Sequence, residues 1–340
     1  MSSPSPASAT TIGYGESICA GFVHLLSRHR EVFTIGQGLW SPWYVGNSMT
    51  GLDKLFGKER VIDTPVSELA CTGAAVGAAL CGYRPVIIHP RMDFMVLAAD
   101  QIINQAAKWH HMLGGQATVP VTIRAIINRG GEQGAQHSQA LHAWFAHIPG
   151  LRVVMPASVA DARDLLVASV LCDDPVLYID DRWLYDRKAV LPAVVERPLA
   201  AEGPKIVRPG TDVTLVGAGY STWLCEQAAE ILAAGGIDAE VVDVRVLNHF
   251  DPAVILASVS RTRRLCVVDG GWRNAGWAGE IIACVAEALD PPLLKAPPRR
   301  ITLPDAPAPT SKALEQDYYP DARRVAEAAR AALSPRRMAP

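Results

Sequence analysis

The chain has 340 residues, with 32 Lys and Arg against 34 Asp and Glu and a formal net charge of -2. A balance so close to neutral argues against nucleic acid or an anionic membrane surface as the main partner, and the length allows about two domains, each with its own core. Charged residues make up 19% and hydrophobic residues 49%, so apolar surface outruns the charge available to cover it, which predicts a subunit that buries a large interface.

Residues 1–12 open on MSSPSPASATT, which has no basic residue and no apolar segment; they are expected to be a disordered tail and not a signal or transit peptide. No run matches the roughly 18 uninterrupted apolar residues of a membrane span. The nearest, Thr72 to Ile88, is broken by glycines, Arg84 and Pro85. Seven widely spread cysteines without a CxxC pair are expected to be buried free thiols in a reducing cytoplasm.

Residues 13–186 alternate helical spacing with apolar β-like runs, the pattern of an α/β domain with a largely parallel sheet. Tyr14 to Ser27 has helical spacing, and strands are expected at Val32–Gly36, Pro85–His89, Val119–Ile127, Leu151–Met155 and Pro175–Ile179. Ala98 to Leu113 reads as a helix stopped by Gly114 and Gly115, and Ser158 with Asp161 opens another that runs to Leu171. In residues 187–204 periodicity fades and prolines gather, as in a linker. Residues 205–335 restart the alternation as a second, smaller α/β domain. Its strands are expected at Asp212–Val216, Ala239–Val244 and Leu265–Val268, with helices at Ser221–Ala234, after Asp251 and Pro252, and at Ala278–Leu289. Pro291 to Pro309 is too proline-rich to be regular, and Asp321 to Leu333 is the closing helix.

Several generic motifs stay open at this level. Gly217-Ala218-Gly219 sits between strand and helix as in a dinucleotide site, but Thr222 stands where a small third residue is wanted, so a plain α/β turn fits as well. His110 with His111, or His142 with His147, could ligate a metal or pack on a helix face; neither pair has partner carboxylates at ligand spacing. Glu68 follows a strand-like run and a proline turn and leads into a small-residue helix. It is either a carboxylate at the carboxyl end of a strand, able to hydrogen-bond a ring nitrogen, or a helix-start residue that complements the dipole.

The segments DTPVSE, RMDF, ADQIINQAAK, QHSQ and HIPGLRVVMP, in this order, resemble the beta subunit of the thiamine-diphosphate-dependent decarboxylating component of 2-oxoacid dehydrogenases of the pyruvate, branched-chain and acetoin type. GTDVTLVGAGYS, GIDAEVVDVRVLNHFD and LEQDYYPD resemble its transketolase-type carboxyl-terminal domain. The resemblance implies a pyrimidine-binding fold followed by that domain. It implies that Glu68 hydrogen-bonds the coenzyme's aminopyrimidine and promotes loss of the thiazolium proton, that Phe94 stacks on the pyrimidine, and that His137 at the mouth exchanges a proton with the bound intermediate or helps receive the acyl group. By the same resemblance Gln37 is expected to face the coenzyme; where the family reads Gly-Glu followed by an acidic residue, this chain reads Gly36-Gln37-Gly38-Leu39, so substrate or rate can differ. The aromatic loop from Trp40 to Tyr44 lines an acceptor pocket or packs at a subunit interface.

No GDG motif with a following Asn is present; Val268-Asp-Gly-Gly271 lacks the leading glycine and lies in the wrong domain. The resemblance therefore implies that diphosphate and magnesium sit on an alpha subunit, in an assembly of two alpha and two beta chains with a contact between the beta chains, and that a lipoyl acyltransferase receives the acyl group. A thiamine-dependent acyl or ketol transferase of a dedicated biosynthetic pathway, and a non-catalytic organising subunit, are the competing readings.

Overall fold

The computed structural model describes residues 11–333 except Pro42 and Tyr44. The expected tail over residues 1–10, two members of the aromatic loop, and residues 334 and 335 of the expected second domain lie outside the described residues.

The first large sheet has six strands, all parallel, in the spatial order Val61–Thr64, Val32–Gln37, Arg84–His89, Thr122–Ile127, Val176–Asp181 and Arg152–Val154. Its central strands are largely apolar and buried on both faces, as a helix-covered parallel sheet requires. All six residues of Thr122–Ile127 and of Val176–Asp181 are buried. Arg124 is tolerated in this core because Asp180 takes it in two hydrogen bonds of 2.9 and 2.8 Å. Helix Tyr14–Arg28 packs on helix Val159–Val170, whose first turn is capped as expected: the Ser158 hydroxyl accepts from the Asp161 amide at 3.0 Å.

The second sheet has five strands in the order Arg299–Leu303, Leu265–Trp272, Val213–Gly217, Ala239–Asp243 and Lys205–Arg208. The last strand is antiparallel and the other pairings are parallel. One apolar cluster runs through both halves, joining Ile123, Leu151 and Met155 to Val216, Val242 and Trp277. The two sheets therefore share buried surface.

Four expectations are corrected. Thr11 and Ile12 are not tail: Thr11–Gly13 pairs antiparallel with Lys188–Val190, which itself lies inside the expected linker. The proline-rich stretch after Pro291 contains the edge strand Arg299–Leu303, because its prolines flank and do not interrupt RRITL. The helix expected over 98–113 changes pitch, from a 3-10 turn at Val96–Ala98 through a π segment at Gln101–Ala106 to an α-helix at Ala107–Met112. The cysteines are free, but only Cys225 and Cys266 are buried, and Cys81 is exposed.

Because the first sheet is parallel, Gln37, Thr64, His89 and Ile127 all end on one edge, and the loops that follow them meet there. Ligand sites of open α/β sheets form at such edges.

Candidate active site

A narrow crevice opens between the carboxyl ends of three adjacent strands and is lined by Gln37, Thr64, Glu68, Cys71 and His89. The backbones come close here: a Cβ on Gly36 would stand 2.5 Å from the Ile88 carbonyl oxygen, so only glycine fits. The turn after Gln37 is held by Asp63, whose Oδ1 accepts from the amides of Gly38 at 2.6 Å and Leu39 at 3.3 Å. Glu68 is the first residue of helix Glu68–Leu80, just past Pro65 and the cap position Ser67. The side chain is half-buried, and its carboxylate has no hydrogen-bond partner among the described residues.

His89 forms the floor. It is buried, its Nε2 lies 3.2 Å from the Thr72 hydroxyl, and burial pushes its pKa down to about 4, so the ring is neutral near pH 7. Sequence reasoning missed it as a site residue. Its one signal was a histidine ending an apolar strand.

Beyond Pro90 the chain turns into the short helix Met92–Met95, which carries Phe94. Asp93, buried beside it, fastens this turn to the QHSQ loop: its Oδ1 accepts from the Gln139 backbone amide at 3.1 Å and from the Gln139 side chain at 3.0 Å. Burial raises the Asp93 pKa, opposed by the Gln139 hydrogen bonds and by His137. Phe94 is 38% exposed and so is not a core residue; its ring meets His137 edge to face, with centroids 5.2 Å apart. The four residues expected from sequence thus fall into two pairs on one sheet edge, Gln37 with Glu68 in the crevice and Phe94 with His137 at the neighbouring loops. Val66, Leu69 and Leu97 are exposed apolar side chains from the same segments.

The other motifs resolve structurally. A Cβ on Gly217 would stand 2.7 Å from the Thr222 nitrogen, and one on Gly219 2.8 Å from Met155, while the Thr222 hydroxyl donates to Asp243 at 2.9 Å. This GxG turn therefore serves strand-helix and inter-sheet packing. His110 Nδ1 lies 2.9 Å from the Ala117 carbonyl oxygen, and His142 pairs with Asp269. Among the described residues no group of three or more His, Cys, Asp or Glu converges as a metal site. Among them, too, no helix is long and apolar enough to cross a membrane.

A six-stranded parallel sheet with a carboxylate at its edge, followed by a five-stranded mixed sheet, is the two-domain plan of a transketolase-type chain. The family model "Transketolase, pyrimidine binding domain" matches residues 11–187, and "Transketolase, C-terminal domain" matches residues 204–325. The chain is 35% identical to the pyruvate dehydrogenase E1 component subunit beta of Bos taurus over 91% of its own length and 87% of the relative's. It is 42% identical to the acetoin:2,6-dichlorophenolindophenol oxidoreductase subunit beta of Cupriavidus necator, over 80% of each chain. The pyruvate dehydrogenase E1 subunit beta of Rickettsia felis is 36% identical, over 88% and 92%. Among solved structures, a split-gene transketolase described as an inactive beta4 tetramer superposes with a TM-score of 0.76 at 22% identity, covering 95% of this chain and 98% of the other, which speaks to the fold. The chain belongs to the transketolase-type family of beta subunits of 2-oxoacid dehydrogenase E1 components.

Proposed function

We propose that this chain is the beta subunit of a thiamine-diphosphate-dependent 2-oxo acid decarboxylase/dehydrogenase, completing the coenzyme site together with an alpha subunit and passing the acyl group to a lipoyl carrier. The observation that carries the proposal is the unpartnered Glu68 carboxylate at a helix start in the strand-end crevice. The half-buried carboxyl takes no partner among the described residues, and a proton shared between it and a ring nitrogen of an aminopyrimidine would make the hydrogen bond. The donor set fits that group: an open carboxylate and the Gln37 amide in the crevice, and the exposed Phe94 ring on the helix that follows His89 and Pro90.

When bound, thiamine diphosphate supplies the carbon nucleophile and electron sink that let a 2-oxo acid lose carbon dioxide. Glu68 holds a proton against the pyrimidine nitrogen, Phe94 offers it an aromatic face, and Gln37 orients it through its amide. His137 moves a proton at the mouth. We assign the diphosphate and its magnesium ion to the alpha partner, in an assembly of two alpha and two beta chains with a beta–beta contact. The exposed Val66, Leu69 and Leu97 around the crevice support a partner there. Within the chain we divide pyrimidine-binding and carboxyl-terminal domains at the 187–204 connection, and we take the cytoplasm as the site of action. The mammalian relatives are mitochondrial by name, so cell fractionation is the check on location.

One observation favours a second reading, a thiamine-dependent acyl or ketol transferase: the crevice carries the neutral amide of Gln37 where the resemblance leads one to expect an acid. The deciding experiment reconstitutes the chain with its alpha partner and offers a 2-oxo acid with either a lipoylated acceptor or a carbonyl acceptor. Acyl transfer to the lipoyl group supports the dehydrogenase reading. Turnover only with the carbonyl acceptor supports the transferase.

A further inference from the structure

The loop that carries His137 is rich in backbone freedom. Gly130, Gly131 and Gly134 all have positive φ, at 77°, 63° and 74°, and the segment from 128 to 141 contains no regular strand or helix. A loop of this kind has little stability of its own. Its two ends, however, are fastened to the same strand of the other half of the chain, Leu265–Trp272, where the pairing register shifts between Val268 and Trp272. At the near end Arg129, 4% exposed, donates from Nη1 to the Gly270 carbonyl oxygen at 3.0 Å, while Nη2 pairs with Asp181 and the guanidinium lies 5.2 Å from the Trp183 ring centroid. At the far end His142, the first residue of helix His142–Ala146, places Nε2 2.8 Å from Asp269 Oδ1, with side-chain exposures of 3% and 1%.

This stretch of the strand is built to receive both. Asp269 accepts from the Gly271 amide at 2.8 Å and the Ala278 amide at 3.0 Å, so its carboxylate is fixed and satisfied. Burial would push the Asp269 pKa up, but His142 and the two amides together hold it below the usual carboxylate value. A Cβ on Gly270 would stand 2.6 Å from Arg129 Nη1, and one on Gly271 3.2 Å from His142 Cε1, so both glycines allow the close approach. These are the residues of the VDGG segment.

We propose that Asp269-Gly270-Gly271 is a clasp by which the carboxyl-terminal half positions the His137 loop, with His142 and Arg129 as positioning residues gripped at the loop's two ends. The clasp rests on the reading of His137 given above only for its catalytic consequence. Its structural content, that this strand segment orders residues 130–141, stands independently.

The test is hydrogen–deuterium exchange on the full chain, comparing wild type with Asp269→Asn and His142→Asn, and with Gly270→Ala as a separate probe of the Arg129 end. The clasp predicts that amides in 130–141 exchange at least about tenfold faster in each variant, while the strands Thr122–Ile127 and Val213–Gly217 keep their protection. In the enzyme assembled with its alpha partner, kcat should fall while KM for thiamine diphosphate stays put. Wild-type exchange in 130–141 in folded variants overturns the proposal. So does a loss of protection spread evenly through the carboxyl-terminal sheet, which would make the contact a general docking point. His137→Ala is the control: normal turnover in that variant sinks the role of His137, and the exchange data then judge the clasp alone.

Discussion

Phe94 and His137 meet edge to face at 5.2 Å with their planes at 88°. Two segments more than forty positions apart are joined at this point, and the brace beneath them is Asp93, which accepts two hydrogen bonds from Gln139.

Removing that brace should loosen the pair. Asp93→Ala leaves the Gln139 amide without its acceptor, a loss of about 1–3 kcal/mol, whereas Asp93→Asn keeps the acceptor oxygen. Turnover of the reconstituted enzyme should fall about tenfold or more in the alanine variant and recover substantially in the asparagine one. Equal activities in all three would show that the brace does not matter to the site.

Coenzyme binding should depend on the partner. On the proposed division of the site the crevice would supply pyrimidine contacts only, and binding a mobile ligand carries an entropic cost that a few contacts do not offset. Calorimetric titration of the isolated chain with thiamine diphosphate and magnesium should give weak or undetectable heat. Tight one-to-one binding to this chain alone would contradict the division of the site.

The exposed Val66, Leu69 and Leu97 are expected to be covered by a partner. Light scattering on the co-expressed pair should report two alpha and two beta chains related by two-fold symmetry. A stable monomer that ignores the alpha chain would count against it.

A pH effect on stability is expected from Asp243. Burial first, and the nearby Asp161 charge second, raise its pKa from 3.8 to about 7. The folded state therefore prefers the protonated form, and the stability this gives is fully present below pH 3.8 and lost as pH rises through about 7. Asp243→Asn is neutral throughout and can still accept from Thr222. Its melting temperature, compared with wild type, should be relatively higher at pH 8 than at pH 4, by an amount on the order of a few kcal/mol in stability terms. An identical pH dependence in the two proteins would remove Asp243 as the cause.

What was legible in the sequence were features with local causes. Fully buried parallel strands such as Thr122–Ile127 announce themselves as largely apolar runs, and Ser158 announces a helix start through its own cap. Pairing between distant short segments carries no such mark. Thr11–Gly13 with Lys188–Val190, and Arg299–Leu303 beside Leu265–Trp272, are strands because of their neighbours, so a tail, a linker and an irregular stretch were expected instead. The site divides in the same way. The proline turn before a helix marked the position of Glu68 but left its role open, which only the resemblance supplied, while His89 became notable only through its contact with Thr72, and the grip of Asp269 on His142 spans 127 positions.

The measurement that bears most directly on the account is hydrogen–deuterium exchange at the thiazolium carbon of thiamine diphosphate in the reconstituted Glu68→Gln enzyme. The substitution keeps shape and hydrogen bonding and removes the proton-holding carboxylate, so exchange and turnover should slow together by roughly 100- to 10,000-fold while the coenzyme still binds. Exchange at the wild-type rate in a variant that melts and assembles normally would reduce Glu68 to a helix-start residue and contradict the account.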